Sequence, residues 1–223
     1  MAPVLGEPML ALVMRRAARA RRLDRVVVAT TGLPADDAIV DLGLEQGWEV
    51  HRGSEHDLLD RYVTTMRATG AAVVVRITSD CPLIDPEVID ATIAAFEAGS
   101  ADYASNTLEP RTFPRGLDVE VVTADALERA WREDRSPAWR EHATPYIYRH
   151  PERFRLIRHG SPDDHSDQRW SVDTPEDLEL VRRLYGELGR DAFGWRDALA
   201  VMDAHPDWME LNRAIEQKPL PPA

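Results

Sequence analysis

The sequence predicts an α/β fold built on a doubly wound, mostly parallel sheet. Three observations carry that reading. Short β-branched runs alternate with stretches of helical period. Two of the strand-like runs end on an aspartate, Asp80 and Asp173, and each is followed by a helix opened by proline, at Asp85-Pro86 and Thr174-Pro175. No apolar run is long enough to span a membrane.

Taken in order, residues 8–22 read as a helix with Met9, Val13, Ala17 and Ala20 on one face. Residues 26–30 read as a short buried strand, 36–46 as a helix stopped by Gly47, and 48–50 as a strand. Ser54-Glu55-His56-Asp57 matches a capping box and opens a helix that buries Leu58, Leu59, Tyr62, Val63 and Met66 and ends at Gly70. The run 72–77 is a buried parallel strand, and the helix after Asp85-Pro86 turns Val88, Ile89, Ile93 and Phe96 inward. This is βα repetition, the pattern of a Rossmann-like sheet.

After residue 100 a small β excursion is expected. Residues 103–107 are extended and 109–116 form a Pro/Arg/Gly loop. Residues 117–122 alternate as a strand, with Asp118 and Glu120 on one face and Val119 and Val121 on the other. A helix follows over 124–133, and another after Ser136-Pro137. Residues 154–159 and 169–172 read as strands that pair, and a second capping box at Thr174 opens a helix with Leu178, Val181, Tyr185 and Leu188 inward. Two short helices surround Trp195 and Trp208.

The 223 residues suit one domain over 1–218, whose character changes near residue 100, and a flexible tail (219–223). A net charge of −12 and a pI near 5.0 argue against a broad nucleic-acid surface. Lys218 is the only lysine, so any anion clamp must use guanidinium groups. Cys81 is the only cysteine; it excludes an intrachain disulfide and reads as a packed residue. No signal peptide is visible, and the expected location is the cytoplasm, with no membrane partner.

In open α/β sheets ligands bind beyond the carboxyl ends of the strands. Asp80 is therefore either a functional residue or a turn aspartate that caps local backbone. Asp173 is either its partner or a helix cap. Two such carboxylates ~4 Å apart would repel by roughly 4 kcal/mol at an effective dielectric near 20. A divalent cation between them relieves this, and carboxylates with water and phosphate oxygens suit Mg²⁺. The histidines lack zinc-site spacing, and neither a Gly-x-Ser-x-Gly elbow nor a Walker loop is present. Asp118-Val119-Glu120 is similar to the acidic triplets of metal-dependent glycosyltransferases, although strand alternation explains it equally.

Several motifs recur in a familiar order: Leu5-Gly6-Glu7-Pro8, Val27-Val28-Ala29-Thr30, Arg52-Gly53-Ser54-Glu55, Arg76-Ile77-Thr78-Ser79-Asp80-Cys81-Pro82, Pro114-Arg115-Gly116-Leu117-Asp118-Val119-Glu120, Arg140-Glu141-His142 and Trp170-Ser171-Val172-Asp173-Thr174-Pro175. Over 3–215 the chain resembles the cytidylyltransferase-like spore-coat polysaccharide biosynthesis protein F family, related to the enzymes that make CMP-3-deoxy-manno-octulosonate and CMP-sialic acid. The resemblance implies a nucleotide-diphospho-sugar transferase type of fold and transfer of CMP from CTP to a sugar acid. It implies that Asp80 and Asp173 hold Mg²⁺ and are the catalytic pair, that Arg52 and Ser54 lie in the base-contacting loop, and that Arg76 reaches a phosphate. It also implies a nucleotide-binding half (1–99) and a sugar-binding half with C-terminal helices (100–218), with Asn106, Arg111, Arg115, Asp118, Glu120 and His142 on the sugar side, and the segment around Arg140 implies a homodimer.

One departure stands out. A doubly wound domain of this type begins with a strand and a phosphate-binding loop; here residues 1–6 are too short for both, and the chain enters a helix at once. The expectation is a missing N-terminal strand and loop, through a start placed too late or in a non-catalytic relative that keeps sugar or nucleotide binding. The third alternative is the metal-dependent glycosyltransferase built on Asp118 and Glu120.

Overall fold

The computed structural model describes residues 2–189, 192–217 and 220; the tail expected at 219–223 lies outside the described residues apart from Leu220. A small antiparallel hairpin, β1 (Pro3–Val4) and β2 (Glu7–Pro8), precedes the first helix. Leu5 (φ 49°) and Gly6 (φ 82°) supply the two positive φ angles of its turn. Helix α1 (Met9–Ala17) is shorter than its apolar pattern. The Asp90 carboxylate captures the amides of Arg21 and Arg22 at 3.0 and 2.9 Å, which bends the chain away from the helix axis.

A parallel pair follows: β3 (Val27–Thr31) and β4 (Glu49–Gly53), joined through α2 (Asp37–Gln46) and paired from Val27↔Glu49 to Thr31↔Gly53. Gly47 ends α2 in the left-handed conformation, φ 70°. Helix α3 (Leu58–Thr69) takes Asp57 as its N-cap through Asp60 N at 2.8 Å, three residues later than the capping-box spacing implied. Ser54 instead closes the preceding turn by accepting Asp57 N at 3.1 Å.

The larger sheet has the order β5 (Val73–Arg76), β7 (Glu120–Thr123), β6 (Tyr103–Ser105), β8 (Leu156–Arg158). Helix α4 (Pro86–Gly99) carries β6 past one vacant position beside β5. The 109–116 loop then returns the chain, so β7 enters that position antiparallel to both neighbours. This corrects the mostly parallel expectation: β3–β4 and β6–β8 are parallel, while β1–β2, β5–β7 and β6–β7 are antiparallel. Residues 169–172 form no strand. They make a single bridge, Arg115↔Arg169, and Val172 N bonds to Asp80 O, because this segment threads between two turns.

Both faces of the larger sheet are covered. Alternate residues of β7 enter separate cores: Val121 belongs to the one that holds Leu12, Ile89, Trp170 and Val181, and Val122 to the one that holds Leu59, Val63, Leu127 and Ile147. Around them pack α5 (Ala124–Glu133), α6 (Pro137–Arg140), α7 (Pro145–Tyr148), α8 (Pro175–Leu188), α9 (Trp195–Ala204) and a 3₁₀ turn, Pro206–Leu211. Asp85 caps α4 through Glu87 N at 2.7 Å, and its other oxygen takes Trp195 N at 2.7 Å, tying the C-terminal helices to the sheet. Among the described residues, β3 pairs only with β4 and β5 only with β7, so each keeps one open edge.

Candidate active site

The strand register places four polar residues in one row across the larger sheet: Arg76, Glu120, Ser105 and Arg158. The row lies at the carboxyl ends of β5, β6 and β8, where ligands bind in this architecture. Glu120 is buried and is the hub of the row. It pairs with Arg76 and accepts Tyr103 Oη at 2.8 Å and Thr144 Oγ1 at 2.5 Å. Burial opposes the charge on Arg76, but Glu120 outweighs it and holds the guanidinium firmly protonated. Burial, then Glu120, pushes the Tyr103 phenol well above its ordinary range.

Beyond this row the chain segments that carry Asp80 and Asp173 come together, although β5 ends at Arg76 and neither aspartate ends a strand as expected. Val172 N donates to Asp80 O at 2.8 Å, which sets the backbone of Asp173 beside that of Asp80. Thr174 and Asp177 close the capping box of α8, so the Asp173 carboxylate is not needed as a cap. It is half exposed and accepts Arg169 Nη2 at 2.5 Å. Cys81 Sγ lies 3.5 Å from Asp80 Oδ1. Burial first, then the charges of Asp80 and Asp118, push its thiol well up, which makes it a packed, unreactive group and places Asp118 near Asp80.

Among the described residues no three His, Cys, Asp or Glu side chains gather in a metal-binding group. The residues present still fit Mg²⁺ by donor chemistry. Two hard carboxylates on adjoining chain segments leave the remaining positions to water and substrate oxygens, as that ion prefers.

Arg52 and Ser54 stand at the carboxyl end of the β3–β4 pair. Arg52 donates to Thr31 O at 2.9 Å, Leu33 O at 2.8 Å and Asp37 Oδ1 at 2.6 Å, and so shapes the turn after β3. The 106–118 loop satisfies itself. Asn106 spans it by donating to Leu117 O at 2.6 Å and accepting Val119 N at 2.8 Å. Arg111 donates to Phe113 O and Pro114 O, both at 3.0 Å, and forks onto Asp118, which also takes Gly116 N at 3.1 Å. Arg115 stands apart from this network. Its main chain is clamped by Gln168 O and Trp170 N at 2.9 and 2.7 Å, and its guanidinium has no hydrogen-bond partner among the described residues. His142 is exposed on the turn before α7.

Sequence reasoning missed Arg158 and Arg169. Arg158 joins the row only through the parallel register of β8 on β6. Arg169 was visible as an i,i+4 partner of Asp173, but nothing local indicated that Asp177 also holds it.

The cytidylyltransferase family profile matches residues 1–207. Spore coat polysaccharide biosynthesis protein SpsF of Bacillus subtilis is 33% identical over 190 residues, covering 82% of this chain and 77% of that protein. A 3-deoxy-manno-octulosonate cytidylyltransferase of Anaeromyxobacter dehalogenans is 31% identical over 222 residues, covering 82% and 89%. The solved structure of a cytidylyltransferase from Leptospira borgpetersenii superposes with a TM-score of 0.90 at 30% identity, covering 96% of this chain and 90% of that one. With the family profile running through both aspartates and a solved member sharing the fold almost throughout, the chain belongs to the cytidylyltransferase family.

Proposed function

We propose that the protein transfers CMP from CTP to a hydroxyl of a sugar acid and releases pyrophosphate, in the synthesis of a surface polysaccharide. The observation that carries this reading is the Val172–Asp80 backbone bond, which brings the segment that leads into Asp173 against Asp80. The sugar-acid part of the reading draws on similarity to the 3-deoxy-manno-octulosonate enzyme, and the polysaccharide part on similarity to SpsF.

Asp80 and Asp173 would hold Mg²⁺, which when bound neutralises charge on the phosphoryl oxygens. The protein itself supplies position. Arg52 and Ser54 hold the turns after β3 and β4 in the shape that faces the base. Arg76, locked by Glu120, keeps the end of β5 rigid beneath Asp80. No protein nucleophile is required, since the acceptor hydroxyl attacks the α-phosphate. We place the enzyme in the cytoplasm, where CTP is available, working as a homodimer without nucleic acid or membrane; no helix among the described residues is long and apolar enough to cross a membrane.

A glycosyltransferase built on Asp118 and Glu120 is disfavoured because Glu120 is buried and already takes Arg76, Tyr103 and Thr144, whereas Asp173, though paired with Arg169, is half exposed. The test is pyrophosphate release from CTP and 3-deoxy-manno-octulosonate with and without Mg²⁺. Asp80→Asn and Asp173→Asn should each reduce the rate about 100-fold or more, a loss of several kcal/mol of transition-state stabilisation. Metal-dependent turnover that survives both substitutions together would sink the reading.

A further inference from the structure

Residues 169–177 carry two aspartates of opposite exposure. The Asp177 side chain is fully buried, while that of Asp173 is 49% exposed. Arg169, itself only 10% exposed, bonds to both. Its guanidinium is held at each of its three nitrogens. Nε donates to Asp177 Oδ1 at 2.9 Å and Nη1 to Gln217 Oε1 at 2.8 Å, while Nη2 donates to Asp173 Oδ2 at 2.5 Å and to Asp177 Oδ2 at 3.2 Å. Its carbonyl accepts Asn212 Nδ2 at 2.9 Å.

Asp173 is therefore fixed at both ends. Its amide donates to Asp177 Oδ2 at 3.1 Å, and its Oδ2 is occupied by Arg169. Its Oδ1 has no hydrogen-bond partner among the described residues. Freeing Oδ2 would mean pulling the guanidinium, through the shared Nη2, away from a carboxylate that has no access to water. A buried charge left unpaired in that way is costly. Asp173 thus offers one oxygen and withholds the other.

That asymmetry matters to a divalent cation. Mg²⁺ is small, demands octahedral geometry and keeps several waters, so one oxygen from each carboxylate satisfies it. Ca²⁺ is larger, gathers more oxygens and readily takes both from one carboxylate. We propose that Arg169 is a positioning residue for the metal: by holding Oδ2 it makes Asp173 a one-oxygen ligand and biases the site toward Mg²⁺ over Ca²⁺. The inference rests on the Mg²⁺ assignment in the nucleotidyl-transfer reading and adds to it the residue that selects the ion.

The test uses the full chain without nucleotide, so that every bound ion is on the protein. Binding of Mn²⁺ is followed by the loss of its free-ion paramagnetic resonance signal, and Mg²⁺ and Ca²⁺ are titrated as competitors. Both competitors carry the same charge. Loosening the site or changing its charge therefore moves their affinities together, and their ratio reads how many oxygens Asp173 presents. Arg169→Lys keeps the charge but loses the planar fork that bridges two carboxylates. It should shift the ratio toward Ca²⁺ by about tenfold, the size of effect expected when the outer partner of a metal ligand is changed. If Arg169→Lys loses its thermal transition, Arg169→Met combined with Asp177→Asn removes the buried pair as a unit and should shift the ratio the same way.

The proposal is overturned if the ratio in the folded variant equals that of the wild type, if Mn²⁺ does not bind the wild type, or if Asp173→Asn binds Mn²⁺ as tightly as the wild type does. Pyrophosphate release from CTP by the wild type separates the two readings. Mg²⁺-dependent release with an unchanged ratio in Arg169→Lys counts only against the role of Arg169, whereas absence of release, whatever the ratio, counts against nucleotidyl transfer itself.

Discussion

Arg169 Nε donates to Asp177 Oδ1 at 2.9 Å inside the protein, and the Asp177 side chain has no solvent exposure. The same carboxylate accepts Asn212 Nδ2 at 2.8 Å and the amides of Asp173 and Thr174, both at 3.1 Å. One buried acid thus joins the entry of α8, the C-terminal turn and the arginine that holds Asp173.

Burial opposes the charge of Asp177, but the Arg169 and Asn212 hydrogen bonds outweigh it and keep its carboxyl below the ordinary value of 3.8. A depressed folded-state pKa contributes stability that is present above the unfolded value and is lost as pH falls through the folded one. The thermal midpoint should therefore fall as the pH drops below about 4. In Asp177→Asn this acid-side slope should flatten, and at pH 7 the variant should be less stable by about 3–5 kcal/mol because Arg169 loses its buried partner. Thermal unfolding from pH 3 to 7 on both proteins decides it; equal slopes would remove Asp177 as the titrating group.

Glu120 presents a second buried pair, with Arg76. Glu120→Gln should cost about 3–5 kcal/mol by leaving the guanidinium uncompensated, whereas Arg76→Met combined with Glu120→Gln should recover part of that loss. Denaturant unfolding of the wild type and the two variants checks this; a double variant no more stable than Glu120→Gln would remove the uncompensated guanidinium as the cause of the loss.

Gly116 is required by space as well as by conformation. A Cβ built there lies 2.6 Å from both Ser171 N and Trp170 C, and the neighbours are backbone. Gly116→Ala should destabilise the fold by about 2 kcal/mol or more and should loosen the clamp on Arg115. Urea unfolding measures the first effect, and faster hydrogen exchange at the Arg115 and Trp170 amides, which make the clamp, measures the second.

The open edges of β3 and β5 make a prediction about dynamics. Backbone amides on those edges should exchange with solvent faster than those of β6 and β7, which are paired on both sides. Residue-resolved hydrogen exchange tests it, and uniform protection across the six strands β3–β8 would refute it.

Local chemistry made much of this protein legible. The caps at Asp85 and Thr174, the stops at Gly47 and Gly70 and helix 124–133 follow from propensities that act over a few residues, so the sequence alone determined them. The α/β class was read from the same local signals, but the expected strand ends at Asp80 and Asp173 were not found, because β5 stops at Arg76 and the segment before Asp173 makes only a single bridge. The tertiary structure decided what depends on long-range pairing. It put β7 between β5 and β6 and brought Arg158 into the row with Arg76 and Glu120. It also divided three arginines that look alike in sequence: Arg111 turns onto Asp118 and Arg169 onto Asp177, while Arg115 is left facing a cavity. The reason is physical: an arginine's role is set by which acceptors the fold brings within about 3 Å of its guanidinium, and those acceptors lie on segments whose approach no local pattern encodes.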